Sequence, residues 1–357
     1  MTNGFLDKVY GCLIGGAIGD SIGAPVECWN YWKIRDTYGK LDRWLPESQI
    51  TDDTTLRHML CLAILRRGGR VTPDDYAPLW LEKFNPNRLW DNEKIVLMKL
   101  KVGMNPWDTG HGTIPSGCAT MSIAPIGVMN AGNPRQAYQD GFNIASINEE
   151  GDDRDLAATY AAGVAAAFLP GATADSVLAA MAENSTFVFQ RAMAITMKLV
   201  EQSPNPAAFV ERYYAEMLDY TFPRVPAKYY EVPEGKPPKA RYLSCRTLDF
   251  LPAGLGLFYM CGGKVNDCIV ECANFGRDCD TIATVIGGLA GALEGASRIR
   301  QDWIDTCEAQ NTALFLEMEG DESKNFYSVA QRLADCVAQE LSAARRQTEL
   351  LSQIIGG

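Results

Sequence analysis

Residues 277–296 read RDCDTIATVIGGLAGALEGA. Two aspartates, Asp278 and Asp280, stand directly ahead of a run of Gly, Ala, Ile, Val and Leu. Acids at a helix start are ordinary, because they accept hydrogen bonds from free N–H groups and suit the positive end of the dipole. The helix behind them has almost no polar face, so it belongs in the interior. Its small residues allow another backbone to come close. Acids at the head of a buried helix are costly to desolvate, which raises the question of what they hold.

The first apolar segment, Val9 to Ala24, has the same character. Gly15, Gly19 and Gly23 recur at spacing four and form one thin stripe on a helix. Pro25 disfavours helix at Ala24 and places Glu27 just past the helix end. Residues 50–69, ITDDTTLRHMLCLAILRRGG, read as a capped helix with acids first, arginines last and glycine after. LAATYAAGVAAAFL, ADSVLAAMAENS, FQRAMAITMKLVEQ and AAFVERYYAEML predict further helices. IPSGCATMSIAPIGVMNAG predicts a loop leading into a short helix, and Tyr327 to Ile355 one or two amphipathic helices packed on the body. There is no convincing β-branched alternation and no boundary between two compositions. The expectation is an all-α fold, a single domain over residues 1–357 with a Pro- and aromatic-rich surface insertion at about 220–243.

Composition narrows the function. The chain of 357 residues is 47% hydrophobic and 22% charged, enough for a substantial core. Its net charge of -11 argues against nucleic acid or an anionic membrane as the main partner. The N-terminus lacks a basic region and its apolar run is broken by Asp20, so neither a signal peptide nor a membrane span is expected. The 11 cysteines are scattered without a CxxC pair and read as reduced thiols of a cytoplasmic protein. With only His58 and His111 present, a His-rich zinc site is close to excluded. His58 reads as a packed or surface histidine and His111 as a solvated loop residue.

Thr51-Asp52-Asp53-Thr54 repeats the opening theme near the other end of the chain, with adjacent acids and threonines at the start of an apolar helix. Each motif alone reads as capping. Together they offer four acids, Asp52, Asp53, Asp278 and Asp280, whose burial needs a counter-charge. Hard cations such as Mg2+ or Mn2+ take carboxylate and hydroxyl oxygens, and four acids fit two ions better than one. Glu27, on a Gly/Pro loop, is a further acid able to approach a cleft. Asp20 reads as a capping or salt-bridge residue.

GDSIGAPVE, TDDT and GRDCDTIATVIGGLAGALEGA, in this order, resemble the ADP-ribosylglycohydrolase family. PSGCATMSIAPIG is similar to that family's glycine-containing loop. The resemblance runs from about Val9 to Gly295, with a diverged stretch between Pro170 and Arg246. It implies a single-domain orthogonal helical bundle with a binuclear Mg2+ or Mn2+ centre at the base of a cleft. It implies Thr51, Asp52, Asp53, Asp278, Asp280 and Thr281 as ligands of two ions. It also implies Glu27 or Asp53 as the catalytic carboxylate, and Ser116, Gly117, Cys118, Asn148 and Arg277 on the substrate side. The implied reaction is hydrolysis at ribose C1″ of an ADP-ribosylated protein or small molecule, releasing ADP-ribose. A smaller nucleoside-like riboside and a catalytically silent ADP-ribose-binding or structural relative are the alternatives. Two departures stand out: Ser122 follows Met121 where many members have arginine, and Asn148 stands where many have histidine.

Overall fold

The computed structural model describes residues 3–85, 90–221 and 246–356. The insertion expected at about 220–243 lies outside the described residues from position 222 onward. The chain runs through α1 (Asn3–Gly23), α2 (Tyr31–Tyr38), α3 (Asp52–Arg67), α4 (Pro73–Lys83), α5 (Asp91–Lys101) and α6 (Cys118–Ser122). There follow α7 (Ala124–Met129), α8 (Pro134–Ala145), α9 (Gly151–Ala167), α10 (Ala174–Glu183), α11 (Phe187–Glu201) and α12 (Pro206–Thr221). The last third holds α13 (Thr247–Met260), α14 (Val265–Ala273), α15 (Cys279–Glu294), α16 (Gln301–Gln310), α17 (Thr312–Glu319) and α18 (Phe326–Gly356). Among the described residues there is no strand, only an isolated antiparallel bridge between Asn30 and Gly276. The all-α expectation holds.

Helices α1 and α15 form the spine, packed antiparallel and flanked by α9, α14 and α18. Their closeness is written in the glycines. A methyl group built on Gly11 would lie 2.4 Å from the Gly291 carbonyl oxygen, and one on Gly15 2.6 Å from that of Gly287. On Gly19 it would lie 2.1 Å from the Ala283 oxygen, and on Gly23 2.5 Å from the Asp280 Cα. Backbone therefore meets backbone along four turns, and the stripe read from sequence is the contact line. Helix α1 is long and apolar enough to cross a membrane by composition, but 83% of that segment is buried inside the protein. It is the core helix.

Helix α3 starts with Thr51 in the N-cap position, its hydroxyl accepting from Asp53 N at 3.3 Å. It ends on Gly68, whose left-handed conformation stops the helix. Leu56, Met59, Leu60 and Ile64 are buried, each contributing about 1.5–3 kcal/mol of apolar burial. One amphipathic helix, α18, occupies the C-terminal stretch. Its first half packs on α1, α3 and α7, but residues 341–356 are all exposed, so packing against the body ends near residue 340.

Candidate metal centre

Three segments meet at one end of the spine: the exit of α1, the start of α3 and the start of α15. After Gly23 the chain makes a short 3-10 turn, Ala24–Val26, with proline at its second position, and Glu27 follows in extended conformation. The next residue, Cys28, has φ of 62°, and Arg277, just ahead of Asp278, also has φ of 62°. Left-handed backbone at a residue with a side chain costs about 1–2 kcal/mol. These two strained residues are paired. Cys28 N donates to the Arg277 carbonyl at 2.6 Å, and Arg277 N donates to the Trp29 carbonyl. The strain therefore flanks Glu27 on one strand of the pairing and Asp278 on the other. The Gly276 turn is equally specific, since a methyl group there would sit 2.5 Å from the Trp29 oxygen.

Glu27, Asp278 and Asp280 each place a carboxylate oxygen within 4.8 Å of the others. Asp278 occupies the N-cap position of α15, yet its side chain makes no capping hydrogen bond. From the α3 side, Asp53 is joined to α15 by Thr281, whose hydroxyl donates to Asp53 Oδ2 at 3.3 Å. Thr51 Oγ1 lies 3.2 Å from the same oxygen. Asp52 is turned toward Glu93, with which it shares a hydrogen bond, and also acts electrostatically on Glu27. The sequence-predicted acids and threonines thus converge.

Asp20 is a capping residue, as read from the sequence, but the helix it caps is not its own. It is fully buried on α1 and accepts from Thr51 N at 3.0 Å, Thr51 Oγ1 at 2.9 Å and Thr54 N at 3.1 Å, as well as from Thr54 Oγ1. It caps the start of α3 from another helix. Buried Arg57 sits nearby, donating to Leu13 O at 3.2 Å and Thr54 Oγ1 at 3.3 Å.

The electrostatics are one-sided. Burial raises the pKa of Asp278 to about 7, with Glu27 adding to the shift. Burial, then the charge of Asp53, raises Asp280 well above the carboxylate range, and burial followed by Asp20 and Asp52 does the same to Asp53. Burial also raises Asp20 to about 6 despite its donors. Two buried oxygens, Asp53 Oδ1 and Asp280 Oδ1, have no hydrogen-bond partner among the described residues. Like-charged acids with orphaned oxygens are what a hard dication satisfies, and the donor set of carboxylates and threonine hydroxyls fits Mg2+ or Mn2+.

The glycine-containing loop is held from behind. Ser116 donates through N and Oγ to buried Glu149, and its hydroxyl accepts from Asn92 Nδ2 at 3.0 Å. Asn92 Oδ1 takes Ile114 N at 2.9 Å, and Thr247 Oγ1 donates to Ser116 O at 3.2 Å. Ser116 is therefore spent on loop anchoring. Gly117 precedes α6 and the Cys118 thiol is buried beside Glu93. Asn148 is 2% exposed, with Nδ2 lacking a hydrogen-bond partner among the described residues. Ser122, in the position of an arginine elsewhere, turns its hydroxyl back to the Cys118 and Ala119 carbonyls at 3.0 Å. Arg277 is buried, and its charge opposes the burial-driven rise of the Asp278 pKa without reversing it. Sequence reasoning missed Asn92, Glu93 and Glu149. Each lies in a polar-looking stretch, and only tertiary packing buries it.

His58 and His111 lie apart from these acids. His58 is buried 3.2 Å from Glu319 Oε1 and edge-on to Phe315, while His111 is exposed and paired with Glu150 at 2.6 Å.

The structure is thus an all-α protein in which acids and threonine hydroxyls from separate helix starts gather into one cluster that could hold a divalent cation. The sequence profile of the ADP-ribosylglycohydrolases matches residues 1–345, and the chain belongs to that family of glycosidic-bond hydrolases. It is 25% identical over 324 residues to the uncharacterized protein YegU of Escherichia coli (strain K12), covering 82% of this chain and 89% of that protein. An uncharacterized protein of Archaeoglobus fulgidus is 26% identical over 310 residues, covering 84% and 91%. The fold also matches a solved structure described as an ADP-ribosylglycohydrolase-related protein complex. The TM-score is 0.60 at 20% identity, covering 93% of this chain and 99% of that one.

Proposed function

We propose that this protein hydrolyses the ribose C1″ glycosidic bond of an ADP-ribosylated protein or small molecule and releases ADP-ribose. We further propose that it uses two Mg2+ or Mn2+ ions held by Thr51, Asp52, Asp53, Asp278, Asp280 and Thr281. The observation that carries this reading is the convergence of acids from two helix starts, with buried carboxylate oxygens left unpartnered. Bound divalent ions would supply Lewis acidity and hold ribose hydroxyls and water.

The chain's own residues do the rest. Cleavage at C1″ builds positive charge on the ribose ring, which the surrounding carboxylates stabilise electrostatically. Glu27 is exposed, next to Asp278 and on the loop flanked by strained backbone, so it can reach the leaving atom and exchange a proton there. Asp53 is the other candidate for the base. In this reading the anchored Ser116–Gly117–Cys118 loop shapes the substrate side, its Ser116 and Cys118 N–H groups held within the loop's own hydrogen bonds, and the Arg277 guanidinium is the group suited to phosphate.

The experiment is release of ADP-ribose from ADP-ribosylated arginine or serine peptides, followed by chromatography with and without Mg2+ or Mn2+. Product should form with metal only, and Asp280→Asn should abolish it. No release from any ADP-ribosyl substrate, in a protein whose melting temperature rises with metal, would overturn the substrate assignment. A second reading, hydrolysis of a smaller nucleoside-like N- or O-riboside, draws on Ser122 and Asn148. Ser122 folds its hydroxyl back on its own helix and Asn148 is uncharged, so neither offers a cation to a diphosphate. Turnover of plain ribosides with no ADP-ribose binding would select it.

A further inference from the structure

We infer that Asp20 is a positioning residue of the candidate metal centre: it takes the Thr51 hydroxyl proton and so turns a lone pair of that oxygen toward the ion. The inference rests on the metal reading proposed above, in which Thr51 is a ligand.

A threonine hydroxyl has one proton to give and two lone pairs to receive with. Thr51 Oγ1 has two carboxylates within reach, Asp20 Oδ1 at 2.9 Å and Asp53 Oδ2 at 3.2 Å. One of its lone pairs takes Asp53 N at 3.3 Å. The single proton therefore decides what the rest of the oxygen does. Given to Asp53, it occupies a carboxylate oxygen of the cluster and sets a hydrogen where a cation would have to sit. Given to Asp20, it leaves the second lone pair of Thr51 beside Asp53 Oδ2, two oxygens 3.2 Å apart with no proton between them. A hard cation stabilises the second arrangement and is repelled by the first.

Asp20 is built to receive that proton. Its carboxylate also takes Thr51 N at 3.0 Å, Thr54 N at 3.1 Å and the Thr54 hydroxyl, which fills its roughly four acceptor positions. Asp53 and Asp280 differ, since each keeps one buried oxygen without a hydrogen-bond partner among the described residues. Oxygens in want of a partner suit a ligand, and a saturated carboxylate suits the residue that orients one. Behind Asp20 the buried Arg57 guanidinium donates to Thr54 Oγ1 at 3.3 Å and to the Leu13 carbonyl at 3.2 Å. It fills the space left by Gly16, where a methyl group would lie 1.8 Å from Arg57 Nη1. Thr54 accepts from Arg57 and hands its own proton to Asp20. The protons of this network thus run toward Asp20 and away from the acid cluster.

Mn2+ binding to the full chain at neutral pH, read from the electron paramagnetic resonance signal of the free ion, tests this in a double-mutant cycle. Asp20→Asn should weaken binding at least tenfold, because an amide sets one oxygen against four donors. Thr51→Ala should weaken it to a similar degree, and Thr51→Ser should recover most of that loss. In the Thr51→Ala background, adding Asp20→Asn should cost less than a further twofold. A full tenfold loss in that background overturns the inference, since Asp20 would then act by its charge or by packing alone. So does an Asp20→Asn protein that binds like wild type. Thr51→Ala protein that binds as tightly as wild type overturns it without any change at Asp20. A wild type that binds no Mn2+ overturns the metal reading along with it, whereas an additive cycle leaves that reading standing.

Discussion

Substituting Gly19 by alanine tests the spine directly. In an unconstrained helix interior the change would stabilise by about 1 kcal/mol. Here the added methyl would lie 2.1 Å from the Ala283 carbonyl oxygen and 2.4 Å from its carbon. A carbon–oxygen contact relaxes at about 3.3 Å, so α1 and α15 must separate locally by about 1.2 Å. The obstacle is backbone on both sides, and no rotamer change relieves it. Overpacking of this kind costs typically about 1–3 kcal/mol and sometimes more, so the net expectation is a loss of about 2 kcal/mol. For a chain of this size that lowers the melting temperature by about 3 °C. Because Asp20 is one residue away and Asp280 one turn from the contact, the metal-dependent rise in melting temperature should shrink too. Urea and thermal melts with and without Mn2+ provide the assay. Gly4→Ala, which meets nothing within 4 Å, is the control and should be neutral or slightly stabilising. A Gly19→Ala protein as stable as wild type would refute the claim that backbone contact fixes the acids.

Other perturbations separate charge from packing. Asp280→Asn should stabilise the metal-free protein above pH 7 while removing its response to Mn2+ in a thermal melt. Its raised pKa means that stability is lost as pH climbs above the unfolded carboxylate range, and an amide does not titrate. Glu319→Gln should cost about 1–2 kcal/mol at neutral pH. Against opposing burial, the nearby His58 imidazole and the hydrogen-bonded Arg332 guanidinium hold Glu319 at about 2. That contribution should be intact above pH 4.5 and fade as pH falls toward 2, so acid melts of wild type and variant should converge there. Glu149→Gln should loosen the Ser116 loop and raise KM several-fold with a smaller change in kcat, read from steady-state kinetics on whichever substrate is turned over. His111→Ala removes an exposed pair and should change stability by less than about 0.5 kcal/mol by urea melt.

Much of the fold was legible because its longest contact is encoded by what is missing. Glycines at spacing four in α1 and small residues in α15 say that two backbones touch, and periodicity says that both are helices. The acids at the starts of α3 and α15 were legible as a pair because neither helix has a polar face to explain them. What was not legible depends on the third dimension. Asp20 lies in the last turn of α1 and reads as a capping residue, but only the fold shows that the helix it caps is α3. Glu93 and Asn92 belong to an amphipathic stretch, DNEKIVLMKL, in which a buried acid looks like any exposed one. The exposed half of α18 escaped for the opposite reason: an amphipathic pattern reports an apolar face, not what covers it.

The grip of α1 on α15 bears on how the acid cluster behaves without a counter-ion. Carboxylates on flexible loops would swing apart to relieve their repulsion and would have to be gathered again on binding. Here Asp20 and Asp280 are carried by helices in direct main-chain contact, so their mutual repulsion is not dissipated by movement. The acid cluster is preorganised, so on the metal reading proposed above little of an ion's binding energy would go to ordering it. Capture should therefore be fast and limited by ion dehydration, with only small changes in the amide hydrogen-exchange pattern of the two spine helices.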